Sequence, residues 1–178
     1  MTEKRYCLDE NELAVLLAGY GVRQLYSIGS EDNQLDKKDI CMSLHSLYKS
    51  NLIEQENKSF VIEQGLKRNL GYINYSKVVL TVHIYDEERT HIICSYLARR
   101  IAVVKTDRLS KGKVSTYLAD WADILEEIIG DSQDKRMKIL LHKSHSGELI
   151  REELLGKGIG EEYKRNILMD YYEEGASL

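Results

Sequence analysis

Five histidines and three cysteines are the residues of this sequence best suited to bind a metal ion. His142 and His145 lie three residues apart, and His83 and His91 flank a polar turn with Cys94 close behind. A zinc site needs four converging ligands, which usually come from closely spaced pairs. The sequence has no Cys-x2-Cys pair, so we interpret these histidines as solvated or strand-paired and predict no metal site.

Sequence signatures of covalent and phosphate chemistry are also missing. The chain contains no Gly-x-Ser-x-Gly, no Gly-x4-Gly-Lys-Ser/Thr and no His-Glu-x2-His. The glycine-rich run GKGIG at 156–160 would suit a phosphate only if 148–155 were a strand and a helix followed. We interpret it as a loop, and we predict that the protein is not an enzyme and uses no cofactor.

Composition and charge indicate an ordinary cytoplasmic protein. The net charge is −4, with 9 Lys and Arg against 11 Asp and Glu in residues 1–76 and 16 against 18 in residues 77–178, so neither half is a basic arm. No apolar run approaches the roughly 18–20 residues of a membrane span, and the charged start does not resemble a signal peptide. We therefore expect no membrane insertion, and we interpret the three cysteines as reduced thiols.

The N-terminal part predicts three helices and a hairpin. Asp9 can cap a helix over 10–19, and Asp36 can cap another that ends near Ser50. The stretches 52–53 and 60–62 flank a polar turn and predict a short hairpin, and helical spacing returns from Gly65 to about Tyr75. A short extended piece is expected at Val22–Ile28. The order of helix and hairpin is typical of a winged-helix unit.

The charges on this unit argue against DNA binding. A DNA reader places Lys and Arg on the recognition helix and wing, because phosphate neutralisation supplies most of the affinity. Here the helix mixes three lysines with two aspartates, and the wing has two glutamates and one lysine (Lys37, Lys38, Lys49, Asp36, Asp39, Glu54, Glu56, Lys58). We therefore favour a packing or protein-binding module.

The C-terminal part begins with strands. Residues 78–86, 91–97 and 101–106 are rich in β-branched and aromatic residues and predict an antiparallel meander. Residues 112–129 predict a helix with one apolar face (Val114, Tyr117, Leu118, Trp121, Leu125, Ile128).

The last third of the chain predicts a strand pair and a final helix. Met137–His142 is a strand candidate. Residues 148–155 then form either its hairpin partner, which we favour slightly, or a helix. The tail from Gly160 to about Tyr172 is expected to be helical.

Together these elements predict a single α+β domain over 1–178. A winged-helix-like helical part, 1–76, packs on a largely antiparallel sheet of four to five strands in 77–178, with helices on one face. Twelve tyrosines against one Phe and one Trp favour half-exposed aromatic surfaces. An exposed strand edge or a tyrosine-rich groove could then bind a partner, and we place that surface at Tyr85, Asp86 and Arg89, with Tyr96.

The order of elements resembles that of a known family. The opening helix with Leu-Asp-Glu-x-Glu-Leu at Leu8–Leu13, and the segment Leu44–Ile62, are similar to the EspG-like secretion-associated proteins and related cytoplasmic proteins encoded with type VII secretion systems in Gram-positive bacteria. The resemblance implies a non-enzymatic chaperone or adaptor that holds a helical secreted protein by its apolar tip, or that contacts the secretion machinery. The alternative is a winged-helix transcriptional regulator that binds DNA as a homodimer.

Overall fold

Five helices and nine strands make up the described part of the chain, which comprises residues 4–21, 35–87, 89–107 and 110–178 of a computed structural model. The helices are α1 (Glu10–Gly19), α2 (Lys37–Lys49), α3 (Gln64–Tyr75), α4 (Trp121–Asp131) and α5 (Glu161–Ser177). The strands are β1 (Tyr6–Asp9), β2 (Ile53–Glu56), β3 (Ser59–Ile62), β4 (Val78–Tyr85), β5 (Thr90–Leu97), β6 (Ile101–Thr106), β7 (Lys113–Ala119), β8 (Arg136–Lys143) and β9 (Leu149–Leu155).

Seven of the strands form one antiparallel sheet in the order β1-β7-β6-β5-β4-β8-β9. The predicted meander is its centre, and β2 and β3 form a separate hairpin. The predicted size of four to five strands is wrong. Two further strands, β1 and β7, extend the sheet beyond β6, with Tyr6 opposite Thr116.

Helices cover this sheet on both faces, whereas we predicted helices on one face. Along β4, successive side chains point to opposite faces of the sheet. Val78, Leu80 and Val82 belong to a first core, which is closed by α4 and α5. Val79 belongs to a second core, which is closed by α1 and α3 with Leu47 of α2. Each core joins apolar side chains of the sheet to apolar side chains of helices, so helices lie on both faces of the sheet.

The predicted helix over 112–129 is wrong in its first half. Lys113–Ala119 is the strand β7, and the helix α4 begins only at Trp121. Val114 and Leu118 enter the second core while Tyr117 enters the first. A strand that is apolar on both sides loses its period of two, and the spacing of its apolar residues then imitates a helix.

The predicted N-terminal helices and hairpin are confirmed as elements, whereas their winged-helix arrangement stays a prediction. Asp36 caps α2, since its side chain accepts a hydrogen bond from the Asp39 amide at 2.7 Å. Asn57 and Lys58 have φ of 45° and 69°, as a two-residue hairpin turn requires. The predicted extended piece at 22–28 lies outside the described residues.

The strand prediction for 148–155 is confirmed, because β9 pairs with β8 in antiparallel fashion. The helix α5 lies close to the sheet beneath it. A Cβ atom on Gly175 would come within 2.5 Å of Leu97 Cδ1, so the absence of a side chain permits this approach. Trp121 stacks on Tyr172 with ring centroids 4.5 Å apart, which joins α4 to α5.

Candidate protein-binding surface

Three of the four residues predicted to bind a partner lie together where β4 ends. The Asp86 amide donates a hydrogen bond to the Arg89 carbonyl at 2.9 Å, which closes the turn. Lys135 Nζ lies 2.5 Å from Asp86 Oδ2, and the Arg136 guanidinium lies over the Tyr85 ring at 5.9 Å. This end of β4 therefore presents one aromatic ring and charges of both signs.

Tyr96 does not share this surface. Its side chain is 5% exposed and belongs to the second core, opposite Val79 on β4 and Ala102 on β6. Burial raises the pKa of Tyr96 well above its ordinary value. Tyr96 therefore stabilises the core, and the partner surface predicted from the sequence reduces to Tyr85, Asp86 and Arg89.

Tyr85 belongs to a larger surface that we call the open face. The second face of the sheet is packed by α3 at β6 and β7, but its side chains become accessible toward β8 and β9. Strand alternation and register place the side chains of the open face on one side of β4, β8 and β9 (His83, Tyr85, Arg136, Lys138, Leu140, Glu152, Leu154). Leu154 is 63% exposed, so an apolar side chain lies in water at the rim.

The charge of the open face is mainly basic. Lys138 pairs with Glu152 at 2.9 Å, and Arg136 adds a second cation beside Tyr85. Burial and the Lys138 charge lower the pKa of His83, and burial and His83 lower the pKa of His142. Both imidazoles are therefore neutral at neutral pH, and the open face combines apolar, aromatic and cationic groups in the manner of a protein interface.

The strand β9 forms one edge of the sheet and borders the open face. An unpaired edge can accept a strand from another chain. Leu149 is 52% exposed at one end of β9, while Arg151, Glu152 and Glu153 occupy its middle. Charges at such positions disfavour indiscriminate strand pairing. The edge therefore favours a partner strand whose charges are opposite to those in the middle of β9.

Apart from the open face, a polar cluster lies between α4 and the first face of the sheet. Glu127 accepts hydrogen bonds from Lys105 Nζ at 2.5 Å, from Arg5 at 3.1 Å and from the Tyr117 hydroxyl. Lys105 also donates to Asp131 at 3.0 Å. Each carboxylate meets a cation, as partly buried charges require, and the cluster holds α4 on the sheet.

One part of this cluster has the order of groups found in a nucleophilic triad. The Thr106 hydroxyl lies 3.1 Å from His91 Nδ1, and His91 Nε2 lies 3.3 Å from Asp131 Oδ2. The Thr106 hydroxyl, however, accepts a hydrogen bond from the Ile92 amide at 2.9 Å and lies 3.4 Å from its carbonyl. It thereby serves the pairing of β5 with β6, and we assign the cluster a structural role.

Sequence reasoning missed most of the open face. A signal existed in β8, where Arg136 and Lys138 alternate with the buried Met137 and Ile139, which indicates one polar side. The role of Leu154 depends on which side of β9 faces the helices. The register of β9 with β8 sets which side faces the helices, so this orientation could not be predicted from the sequence of β9 alone.

The described residues contain no helix long and apolar enough to span a membrane. In the same ranges, no three His, Cys, Asp or Glu side chains are grouped so that they could hold a metal ion. Comparison with protein-family models and with curated proteins gave no match.

Proposed function

We propose that this chain is a non-catalytic protein-binding protein, and specifically a cytoplasmic chaperone or adaptor for type VII secretion substrates. The observation that supports a binding role is the open face. It offers an exposed leucine, an aromatic ring held by an arginine, and a basic rim on a sheet whose other face is closed by α4 and α5. Exposed apolar groups rimmed by charge are typical of protein interaction sites.

The secretion role rests on the resemblance of the element order to EspG-like proteins. A helical secreted protein, or a component of the secretion machinery, would place an apolar side chain against Leu154 and Tyr85. Arg136 and Lys138 would meet carboxylates at the rim. A chaperone of this kind hides the apolar tip of its substrate before export.

The test is copurification from a Gram-positive host at physiological salt. We compare the wild type with Tyr85→Ala/Leu154→Glu and with a matched control, Tyr163→Ala/Leu178→Glu. The control residues are 52% and 57% exposed, and neither lies on the open face. We expect a small helical secreted protein, or secretion machinery, to copurify with the wild type and the control but not with the open-face variant.

Two results would contradict the proposal. A secreted partner that the open-face variant retains would place binding elsewhere on the molecule. Recovery of DNA in place of any protein would favour the second candidate function.

That second candidate is DNA binding by α2 and the hairpin. It is favoured by one observation: only Ser43 and Leu47 of α2 are buried, so most of the helix is accessible to a ligand. Fluorescence anisotropy with duplex DNA should then show affinity that falls steeply with salt, and that weakens in Lys37→Glu/Lys38→Glu. No binding at low salt would refute this candidate.

A further inference from the structure

The strand β9 is the longer of the two edges of the seven-stranded sheet. It spans seven residues, Leu149–Leu155, whereas β1 at the opposite edge spans four. In the part of the chain that the structure describes, β8 is the only strand that pairs with β9, so no strand lies on its outer side. Such an edge can pair with a strand of another chain, and natural proteins either block it or use it.

One hydrogen bond shows which backbone groups of β9 face outward. The Lys143 amide donates to the Glu148 carbonyl at 2.9 Å, so Lys143 bonds toward β9. Bond directions alternate along a strand, so every second residue of β8 does the same, and their partners in β9 bond inward (Arg151, Glu153, Leu155). The amide and carbonyl groups of Glu152 and Leu154 therefore point away from the sheet.

The charges of β9 are complementary to those of a second β9 that runs in the opposite direction. Arg151 and Glu153 flank Glu152. A twofold axis at Glu152 places Arg151 of each copy opposite Glu153 of the other, and the symmetry forms both contacts at once. Opposite charges directly across an antiparallel pair stabilise that pair.

These charged side chains have partners within the chain, and the pairing keeps those partners. The Arg151 guanidinium donates to Glu174 at 3.1 Å, lies 3.8 Å from Glu153 and lies over the Tyr171 ring at 4.2 Å. Because a guanidinium has several N–H donors, Arg151 can also meet the carboxylate of a second copy. The pairing therefore requires no free cation, only that like charges do not lie opposite one another.

Other symmetric registers bring like charges together. An axis at Arg151 would set that arginine against its own copy, and an axis at Glu153 would do the same for two glutamates, which destabilises a strand pair. In the register centred on Glu152, the two Glu152 side chains meet on the open-face side. Lys138 Nζ of each copy lies 2.9 Å from Glu152, so each of these carboxylates has a cation.

Two exposed leucines acquire apolar neighbours in the same register. Leu149 lies opposite His142 of β8 and Leu154 lies opposite Lys138, so both leucines are on the open-face side of β9. They are 52% and 63% exposed. A register shift leaves Ile150 as an extra residue of β9, which brings Leu149 of one copy beside Leu154 of the other. The interface then has leucines at each end and charges in the middle.

From these features we propose that a second copy of this chain pairs with β9, antiparallel about a twofold axis at Glu152, so that the two sheets join into one. This binding mode is strand addition at a sheet edge. The open faces of the two copies then continue across the joint, and Tyr85 on β4 lies two strands from it. The interface goes beyond the proposed function and does not rest on it.

Sedimentation-velocity ultracentrifugation of the purified full chain at micromolar concentrations tests this interface. We expect a dimer for the wild type. Arg151→Glu places a glutamate opposite Glu153, and Glu153→Arg places an arginine opposite Arg151. Each variant alone should therefore dissociate about tenfold more readily than the wild type. An equimolar mixture of the two variants should restore the dimer, because every charged pair is then again of opposite sign.

Further variants locate the interface. Glu152→Pro removes an amide that points away from β8, so it should abolish the dimer and leave the pairing of β8 with β9 intact. Glu152→Ala is the matched control, since it keeps the amide and should keep the dimer. Lys58→Glu, at the tip of the β2–β3 hairpin, and Tyr85→Ala should leave the dimer unchanged. Circular dichroism verifies that each variant is folded.

Three outcomes would overturn the proposal: a wild type that stays monomeric, a dimer that the folded Glu152→Pro variant retains, or a mixture of the Arg151→Glu and Glu153→Arg variants that associates no better than either alone. A monomeric wild type would leave the copurification result for the open face unaffected, so the two proposals can fail separately.

Discussion

Glu127 joins several parts of the fold through one carboxylate. It accepts from Lys105 on β6, from Tyr117 on β7 and from Arg5 just before β1. Burial opposes its ionisation, but the hydrogen bonds from Lys105 and Tyr117 outweigh burial, so the pKa of Glu127 lies below its ordinary value. Glu127 is therefore ionised in the folded protein at neutral pH.

Replacing Glu127 by Gln should lower the free energy of unfolding by about 2 kcal/mol at pH 7, because Lys105 loses a charged partner while 14% exposed. Urea denaturation measures the change. Since the folded-state pKa is lowered, the contribution of Glu127 is complete above an unfolded pKa of about 4.3 and is lost as the pH falls through the folded value. The difference between wild type and Glu127→Gln should therefore shrink in acid.

The neighbouring Glu126 provides a matched control for this measurement. Its side chain is 66% exposed and pairs with Arg165 at 2.5 Å at the surface. Glu126→Gln should leave the free energy of unfolding close to that of the wild type, because exposed ion pairs contribute little. Equal losses in the two variants would show that the Glu127 cluster contributes nothing beyond a surface pair.

Single residues were predicted well from the sequence only where neighbours along the chain determine their position. Asp36 could be identified as a cap because its partner is three residues away. Arg5 and Glu127 could not be paired, since 122 residues separate them. Tyr96 was placed at the surface because composition shows how many tyrosines there are, but not which side of a strand each one occupies.

At the scale of elements, the two helical glycines Gly71 and Gly175 have opposite surroundings. A Cβ on Gly71 meets open space, whereas one on Gly175 comes within 2.5 Å of Leu97 Cδ1 and 3.0 Å of Leu141 Cδ1. Identical substitutions should therefore differ in sign. The contrast separates the intrinsic cost of glycine in a helix from its use in close packing.

Gly71→Ala should raise the free energy of unfolding by about 0.5–1 kcal/mol, because alanine restricts the unfolded chain and favours the helix. Gly175→Ala should lower it by about 1 kcal/mol, since the added methyl group pushes α5 away from the sheet. Chemical denaturation measures the free energy of unfolding of both variants against the wild type. Shifts in the same direction would show that the packing of α5 tolerates a side chain.

Element boundaries were predictable where a single face is apolar or a cap is present, as in α2 and the β2–β3 hairpin. The failure at β7 has a physical cause. A strand that serves two cores gives no alternation, so pattern analysis cannot separate it from a helix. The pairing of β8 with β9 was only slightly favoured over a helix, because both structures suit the sequence LIREELL.

At the scale of the whole molecule, one sheet serves both cores. β4 contributes Val78 and Leu80 to the first core and Val79 to the second. Loss of either core therefore exposes one side of the same strands. The α+β class was predictable from the succession of strand and helix patterns, but the strand order was not, because β1 pairs with a strand far along the chain.

This arrangement predicts a single cooperative unfolding transition, which calorimetry and circular dichroism should report at the same temperature. Within the native state, hydrogen exchange should be slowest in β4 and β5, which lie inside the sheet, and fastest in α2, where only Ser43 and Leu47 are buried. Separate melting of 35–76 before the sheet would contradict a shared core.

The pairing of β1 with β7 has a consequence for synthesis of the protein on the ribosome. β1 leaves the exit tunnel about a hundred residues before its partner. The apolar sides of α1 and α3, including Leu13 and Leu70, also emerge before Val114 and Leu118, against which the second core closes. The early part of the nascent chain must therefore keep these leucines unburied until translation passes β7, and slow translation through 77–119 prolongs that exposure.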